Sequence, residues 1–212
     1  MESIFGDGSI DVRKNRKNST TITHSSNAYE VDYLNYVIWL KKKLYGLSKY
    51  NIVKRNNERN LIFNSLAIST SYTPIFQIPL GKKYKVDIPP IIKNSDDLDI
   101  IASFIRGFID TDFGLIKRLK YGKIYPSLDG TSSSERLIVS LSFLLDKLNL
   151  KHYMYERQFD KRTNNTYTRY KIAITGFSRV SSCLRIIKHR NPKYIRKIRD
   201  MGPKRFEFEG QF

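Results

Sequence analysis

An α+β architecture of two pseudo-symmetric halves is what the sequence predicts, and three observations predict it. The chain repeats its landmarks once at a nearly constant offset. Strand and helix periodicities alternate in the same order in both copies. A proline-led joint separates the copies. With 212 residues, 40% of them hydrophobic, there is enough apolar material for two small halves that share a core.

The repeat is clearest at two acidic landmarks. Phe5-Gly6-Asp7-Gly8 is echoed by Thr111-Asp112-Phe113-Gly114, and the two aspartates stand 105 positions apart. A basic, β-rich stretch follows each aspartate, and an amphipathic helix follows that. The first helix is predicted over 28–45, with Ser26 or Asn27 as its cap. The second is predicted over 134–148, where Leu137, Leu141, Leu144, Leu145 and Leu148 recur at helical spacing. A hairpin comes after each helix, predicted as 51–55 with 61–70 and as 152–159 with 166–175. Leu66-Ala67-Ile68-Ser69 matches Ile172-Ala173-Ile174-Thr175 at almost the same offset. Two copies at one offset make a pseudo-dimer, not a solenoid. The joint lies in IPPIIKNSDDLD. Pro89 and Pro90 stop a preceding helix, and Ser95 with Asp96 and Asp97 opens a new one, so the halves are predicted as 1–94 and 95–212.

Charge narrows the partner. Lys and Arg number 38 against 20 Asp and Glu, a net charge of +18, which points to a polyanion, nucleic acid above all. The 14 Tyr and 12 Phe set the chain apart from a disordered basic arm. One cysteine, Cys183, excludes an intramolecular disulfide and a cysteine zinc site; it is predicted on the apolar face of a helix over 178–188. The histidines (His24, His152, His189) are scattered. There is no apolar run of about 20 residues and no secretory signal, so a soluble, cytoplasmic, nucleoid-associated protein is expected. Ser132–Glu135 reads as a capping box and not as a nucleophile site. No glycine-rich phosphate loop occurs.

The segment Ser95–Thr111 reads as one helix. Ile101, Phe104, Ile105 and Phe108 make one face. Ser103, Gly107 and Thr111 make another, at a spacing that lets a second helix backbone approach. Gly107 costs about 1 kcal/mol against Ala in a helix interior; helix–helix packing accounts for it, and a tolerated glycine in an ordinary buried helix accounts for the spacing equally well. Asp110 and Asp112 end this helix, where the backbone dipole is already negative and an exposed carboxylate is unfavourable by about 0.3–1 kcal/mol. A cation is therefore expected there: Lys, Arg or a divalent metal. Asp7 repeats the arrangement, and two carboxylates at two converging helix ends suit Mg2+, which takes few protein carboxylates plus water and phosphate oxygens.

At this point the residues resemble a known family. IRGFIDTDFG (105–114) resembles the LAGLIDADG motif with Phe113 inserted before the final glycine. IFGDGSI (4–10) resembles the end of a first copy, and PLGKKYKVDIPP (79–90) resembles the segment joining the halves of two-motif, archaeal-type LAGLIDADG homing endonucleases. The resemblance covers nearly the whole chain. It implies αββαββα halves whose antiparallel sheets form a saddle on double-stranded DNA, in a monomer that acts as a pseudo-dimer. It implies a site-specific double-strand break by metal-dependent hydrolysis, with Asp7 and Asp112 as the catalytic, Mg2+-binding acids. Asp110 matches the motif acid that supports the helix turn. A basic residue near each scissile phosphate is implied as Lys83, with Lys82 next, and as Lys193 of RNPKYIRK. The ends lack intein splicing residues, which suits a free-standing, intron-encoded protein. Only six residues precede Asp7, about 9 Å of helix. The first motif helix is thus expected to be truncated: either its start lies upstream, or the copy has decayed. A decayed copy would make a non-cleaving DNA- or RNA-binding maturase or regulator, with structured RNA as the alternative partner.

In this reading the hairpins carry recognition, since a two-stranded ribbon fits the major groove. Period-2 alternation puts Tyr167, Arg169 and Lys171 on one face and Tyr170, Ile172 and Ile174 on the other. Ile10 and Val12 point inward, Asp11 and Arg13 outward, and Arg118 shares a face with Lys120. The expected DNA contacts are Arg13, Lys14, Arg16, Lys54, Arg55, Arg118, Lys120, Tyr167, Arg169 and Lys171, some of them to phosphates only.

Overall fold

The computed structural model describes residues 8–12, 20–65, 67–68, 70, 75, 86–159 and 167–202. The first half holds β1 (Gly8–Val12), β2 (Thr20–Asn27), α1 (Val31–Tyr45), β3 (Asn51–Arg55) and β4 (Glu58–Asn64). A short helix α2 (Pro90–Lys93) and the motif helix α3 (Leu98–Asp112) follow. Then come β5 (Gly114–Lys120), β6 (Lys123–Ser132), α4 (Glu135–Lys147), β7 (Tyr153–Phe159), β8 (Tyr167–Thr175), α5 (Phe177–Ile187) and α6 (Lys193–Met201).

The strands form two four-stranded antiparallel sheets with matching orders, β1-β2-β4-β3 and β5-β6-β8-β7. Register makes the repeat explicit. Ile10 pairs with Ile22 in one sheet and Leu115 with Leu128 in the other, offsets of 105 and 106. The expected match of Leu66–Ser69 to Ile172–Thr175 does not hold. β4 ends at Asn64, and the residues that occupy the places of Ile172 and Ile174 are Leu61 and Phe63, because Phe63 pairs with Ile22 as Ile174 pairs with Leu128. Both segments place bulky apolar residues two positions apart, Leu61 and Phe63 in one and Leu66 and Ile68 in the other, and that spacing alone cannot fix register.

Each sheet turns alternate residues to the helices. Ile10, Ile22, Leu61 and Phe63 from one sheet, and Leu115, Leu128, Ile172 and Ile174 from the other, are buried in one hydrophobic cluster with helix residues such as Phe104, Ile105, Leu144 and Leu184. Cys183 is fully buried in α5, as its apolar face predicts, and burial pushes its thiol pKa up to about 12. The β5–β6 turn is Tyr121–Gly122, both with positive φ, the conformation of a tight hairpin.

Helix starts follow local chemistry. Asp97 opens α3, its carboxylate accepting from the amides of Asp99 (2.9 Å) and Ile100 (3.2 Å). α1 starts at Val31, later than expected, because Asn27 remains in β2 and its Oδ1 accepts from the Tyr29 amide. Ser134 precedes α4 but forms no capping box; its hydroxyl donates to the Val86 carbonyl at 2.6 Å. Ser140 donates to Asp87 at 2.6 Å, and Lys147 to the Ser95 carbonyl at 2.8 Å. The segment joining the two sheets is thereby fastened along α4. Among the described residues no helix is long and apolar enough to cross a membrane.

Candidate functional site

The C-terminal end of α3 is the most heavily supported point in the described structure. A helix leaves its last carbonyls without intrahelical donors. Here neighbouring side chains supply them. Tyr194 Oη donates to the carbonyls of Ile109 and Phe113 (the latter at 2.9 Å), and Asn191 Nδ2 donates to that of Asp110 at 2.8 Å. Lys193 Nζ donates to the carbonyls of Asp110 (2.8 Å) and Thr111 (3.3 Å). The cation required at this dipole end is therefore Lys193. The first half reaches the same point: Glu30 Oε1 accepts from Asn191 Nδ2 at 2.9 Å and lies 3.6 Å from Lys193 Nζ.

Asp110 and Asp112 part company here. Asp110 is buried and turned inward, accepting from the amides of Arg190 and Asn191. Burial raises its pKa to about 6, against those two hydrogen bonds and the charges of Lys193 and Arg106. Asp112 is exposed. Thr111 Oγ1 donates to the Gly107 carbonyl at 2.8 Å and stands 3.3 Å from Asp112 Oδ2. Phe113 then leaves the helix in extended conformation (φ −89°, ψ 145°), and Gly114 begins β5. Phe113 is buried, and its ring lies where a side chain at Gly130 would be. The residue inserted in the motif thus fills the space that Gly130 leaves open.

Among the described residues no group of three or more His, Cys, Asp or Glu could hold a metal ion. What Asp112 presents is a single exposed carboxylate, a donor for a divalent ion that takes most of its oxygens from water and phosphate and not for a closed protein cage. Asp7 and Lys83 lie outside the described residues, as do Arg13, Lys14 and Arg16. Ser103, Gly107 and Thr111 share one side of α3, with Gly107 buried and the other two half-buried.

The outer faces of the two sheets differ in chemistry. On the first sheet Thr21, Thr23, Ser25, Asn60 and Arg55 line a cavity of about 380 Å³. Arg55 is exposed there; Lys54 lies on the other side of the strand, with Ile52, and does not share that face. The second sheet is charged. Arg118 Nη2 donates to Asp129 Oδ2 at 2.7 Å, Lys171 Nζ donates to the same oxygen, and Ser127 Oγ donates to Oδ1 at 2.5 Å. Burial alone would raise the Asp129 pKa; the bonds from Lys171, Ser127 and Arg118 outweigh it and hold it below the usual carboxylate value. Lys171 has the expected facing but is buried against Asp129, whereas Arg169 is exposed. Lys120 and Tyr167 are placed by register alone, opposite Lys123 and Phe159.

Sequence reading missed Asn191, Tyr194, Glu30 and Asp129. The segment Asn191-Pro192-Lys193-Tyr194 carried a signal for the first two; nothing local marked Glu30, 161 residues from its partner.

Residues 99–193 match the family of LAGLIDADG-like domains. The chain as a whole has the fold of LAGLIDADG homing endonucleases. It is similar to a mesophilic variant of the homing endonuclease I-DmoI (TM-score 0.60, 15% identity, 89% of this chain and 93% of that one). It is also similar to an I-DmoI variant in complex with its target DNA in the presence of Mg (0.59, 15%, 90% and 93%). A third likeness is to the I-SmaMI LAGLIDADG homing endonuclease bound to cleaved DNA (0.56, 13%, 96% and 90%). At these identities the likeness is one of fold. No curated protein sequence matches the chain.

Proposed function

We propose that this chain is a site-specific DNA endonuclease that binds duplex DNA across both sheets and makes a double-strand break with Mg2+. We propose further that residues 1–94 and 95–212 act as two halves of one monomer, in the cytoplasm with the nucleoid. The observation that carries the reading is the exposed Asp112 carboxylate on a helix end braced from behind by Asn191, Lys193 and Tyr194. A rigid mount for one carboxylate suits catalysis, where a misplacement of about 1 Å can cost about 100-fold. The solved structures similar to this one include complexes with target DNA and with Mg, Mn or Ca.

In this mechanism Asp112, with Asp7 from the other half, would hold the metal. Bound there, Mg2+ would supply Lewis acidity toward the phosphate and would lower the pKa of the attacking water. The protein's own work is orientation. Lys193 offsets the negative helix end, and its bonds to two carbonyls fix the direction of the last turn. Lys193 therefore acts here as a positioning residue, and Lys83 is the basic residue assigned to the scissile phosphate in the first half. Arg55 and Arg169 are exposed on the sheet faces, where they can neutralise phosphates.

The test is a plasmid library of randomised sites digested in Mg2+, with Asp112→Asn alongside. Linearised product from the wild type, absent with the variant and with EDTA while duplex binding persists, is the expected result. Duplex binding without cleavage in Mg2+ or Mn2+ would replace the endonuclease by a non-cleaving regulator. Preference for structured RNA over duplex would replace it by a maturase.

A further inference from the structure

Among the described residues, the acid and the lysine of the charged cluster on the second sheet have no charged counterparts in the first. By register the position of Asp129 corresponds to Thr23 and that of Lys171 to Asn60. Uncharged residues there suffice for the sister sheet to fold. Buried ion pairs are weak sources of stability, because desolvation offsets their attraction. The ions in the second sheet therefore need another reason.

Geometry supplies one. β6 and β8 are the inner strands of the sheet, so Asp129 and Lys171 lie mid-face and away from the rim. Asp129 is 6% exposed and cannot itself lie along a base edge. It pins three donors: Lys171 from β8, Ser127 from its own strand and Arg118 from β5. Of these only Arg118 extends outward, its side chain 42% exposed. Its Nη2 is held from both sides, by Asp129 and by Tyr155 Oη at 3.4 Å, and its Nε is buried without a hydrogen-bond partner. A freely moving surface arginine would turn that donor to water. Here Nη2 is engaged and Nε is covered, which leaves Nη1 as the donor that a base edge can meet.

We propose that Asp129 is a specificity-determining positioning residue, which fixes Arg118 to read the acceptor edge of a guanine in the half-site beneath the second sheet. The proposal rests on the reading of this chain as a duplex-DNA-binding protein. Arginine donates to guanine O6 and N7 more readily than to any other base edge. The carboxylate behind it also cancels one positive charge and keeps Lys171 from a phosphate. The cluster thus exchanges non-specific affinity for selectivity.

The experiment is selection from a randomised duplex library by wild type, Asp129→Asn, Asp129→Glu and Arg118→Gln, with salt-dependent binding of one fixed arbitrary 30-base-pair duplex (about three turns at 3.4 Å per step) measured in parallel. The wild type is expected to select guanine at one position, about tenfold over other bases. Both Asp129→Asn and Arg118→Gln lose that preference and keep the others, while Asp129→Glu retains part of it. On the arbitrary duplex Asp129→Asn binds more tightly at low salt, with a log–log salt slope steeper by about one phosphate contact. A structural role alone would weaken every position together and leave no rescue by Glu, and that result overturns the proposal. An unchanged guanine preference in Asp129→Asn overturns it too. If the wild type enriches no duplex at all, the DNA-binding reading fails first and the proposal falls with it.

Discussion

Replacing Gly130 by alanine sets two effects of opposite sign against each other. Alanine in a strand interior should stabilise by roughly 0.5–1 kcal/mol, because it restricts the unfolded chain more than glycine does. The structure predicts the reverse. A Cβ at Gly130 would lie 2.3, 2.5 and 2.6 Å from three carbons of the Phe113 ring. Carbon atoms in contact sit about 3.5–4.0 Å apart, so the ring must retreat by roughly 1–1.5 Å. Phe113 is buried, and its carbonyl is held by Tyr194, so retreat has no easy direction. Overpacking of this kind costs about 1–3 kcal/mol. Gly130→Ala should therefore unfold at lower urea, and Phe113→Leu/Gly130→Ala should recover part of the loss. The double-mutant cycle should give a coupling of roughly 1–2 kcal/mol. The proposed cleavage should fall as well, since Phe113 adjoins Asp112. A Gly130→Ala protein as stable as wild type, or strictly additive effects, would refute the claim that the inserted phenylalanine sets the exit from α3.

Two other perturbations probe the same helix end. Lys193→Met removes the charge and keeps the stem, leaving Glu30 and two carbonyls short of a donor; a loss of about 1–3 kcal/mol is expected in urea unfolding. Glu30→Gln should cost far less in that background than alone, and additive losses would mean that no inter-half clamp exists. Asp110 titrates near 6 when folded, against 3.8 when unfolded. Its contribution is thus fully present below pH 3.8 and lost as pH rises through 6, by about 3 kcal/mol. Asp110→Asn should remove that slope between pH 4 and 6; an identical pH profile in the variant would show that Asp110 is not perturbed. Asp129 runs the other way, since its lowered pKa gives stability above pH 3.8 that is lost on acidification.

Periodicity made the sheets legible because it depends on a property each residue carries alone. Ile10, Ile22, Leu128 and Ile172 are apolar at every second place, and all are buried where alternation puts them. Register was not legible, because Leu66 and Ile68 have the same spacing as Leu61 and Phe63 and the choice depends on which partner strand lies opposite. The motif helix was legible from its acids and small residues. Its support was not, because the donors to its last carbonyls come from residues 80 or more positions away and look, in sequence, like one more basic segment. Lys54 and Lys171 show the same limit. Their positive charge is visible in the sequence; whether it faces a groove, the helix side of a sheet or a buried carboxylate depends on the neighbouring strand.

Part of the net charge of +18 is consequently engaged within the described structure and is not offered to a polyanion. Lys193 is engaged with a helix end, Lys147 with the joining segment, and Lys171 with Asp129. Arg55 on an edge strand and Arg169 near the end of β8 are exposed, while the centres hold Thr21, Thr23 and Asn60 in one half and, in the other, a cluster whose carboxylate offsets one of its two cations. Phosphates follow the edges of a groove and base edges form its floor, so this distribution separates two tasks. Affinity should come from the margins and vary with salt; selectivity should come from the centres and vary with single side chains. That division also explains why the two sheets can share strand order and core while differing in mid-face chemistry. The core positions are constrained by packing in both halves, and in the proposed reading the mid-face positions answer to the sequence that each half reads.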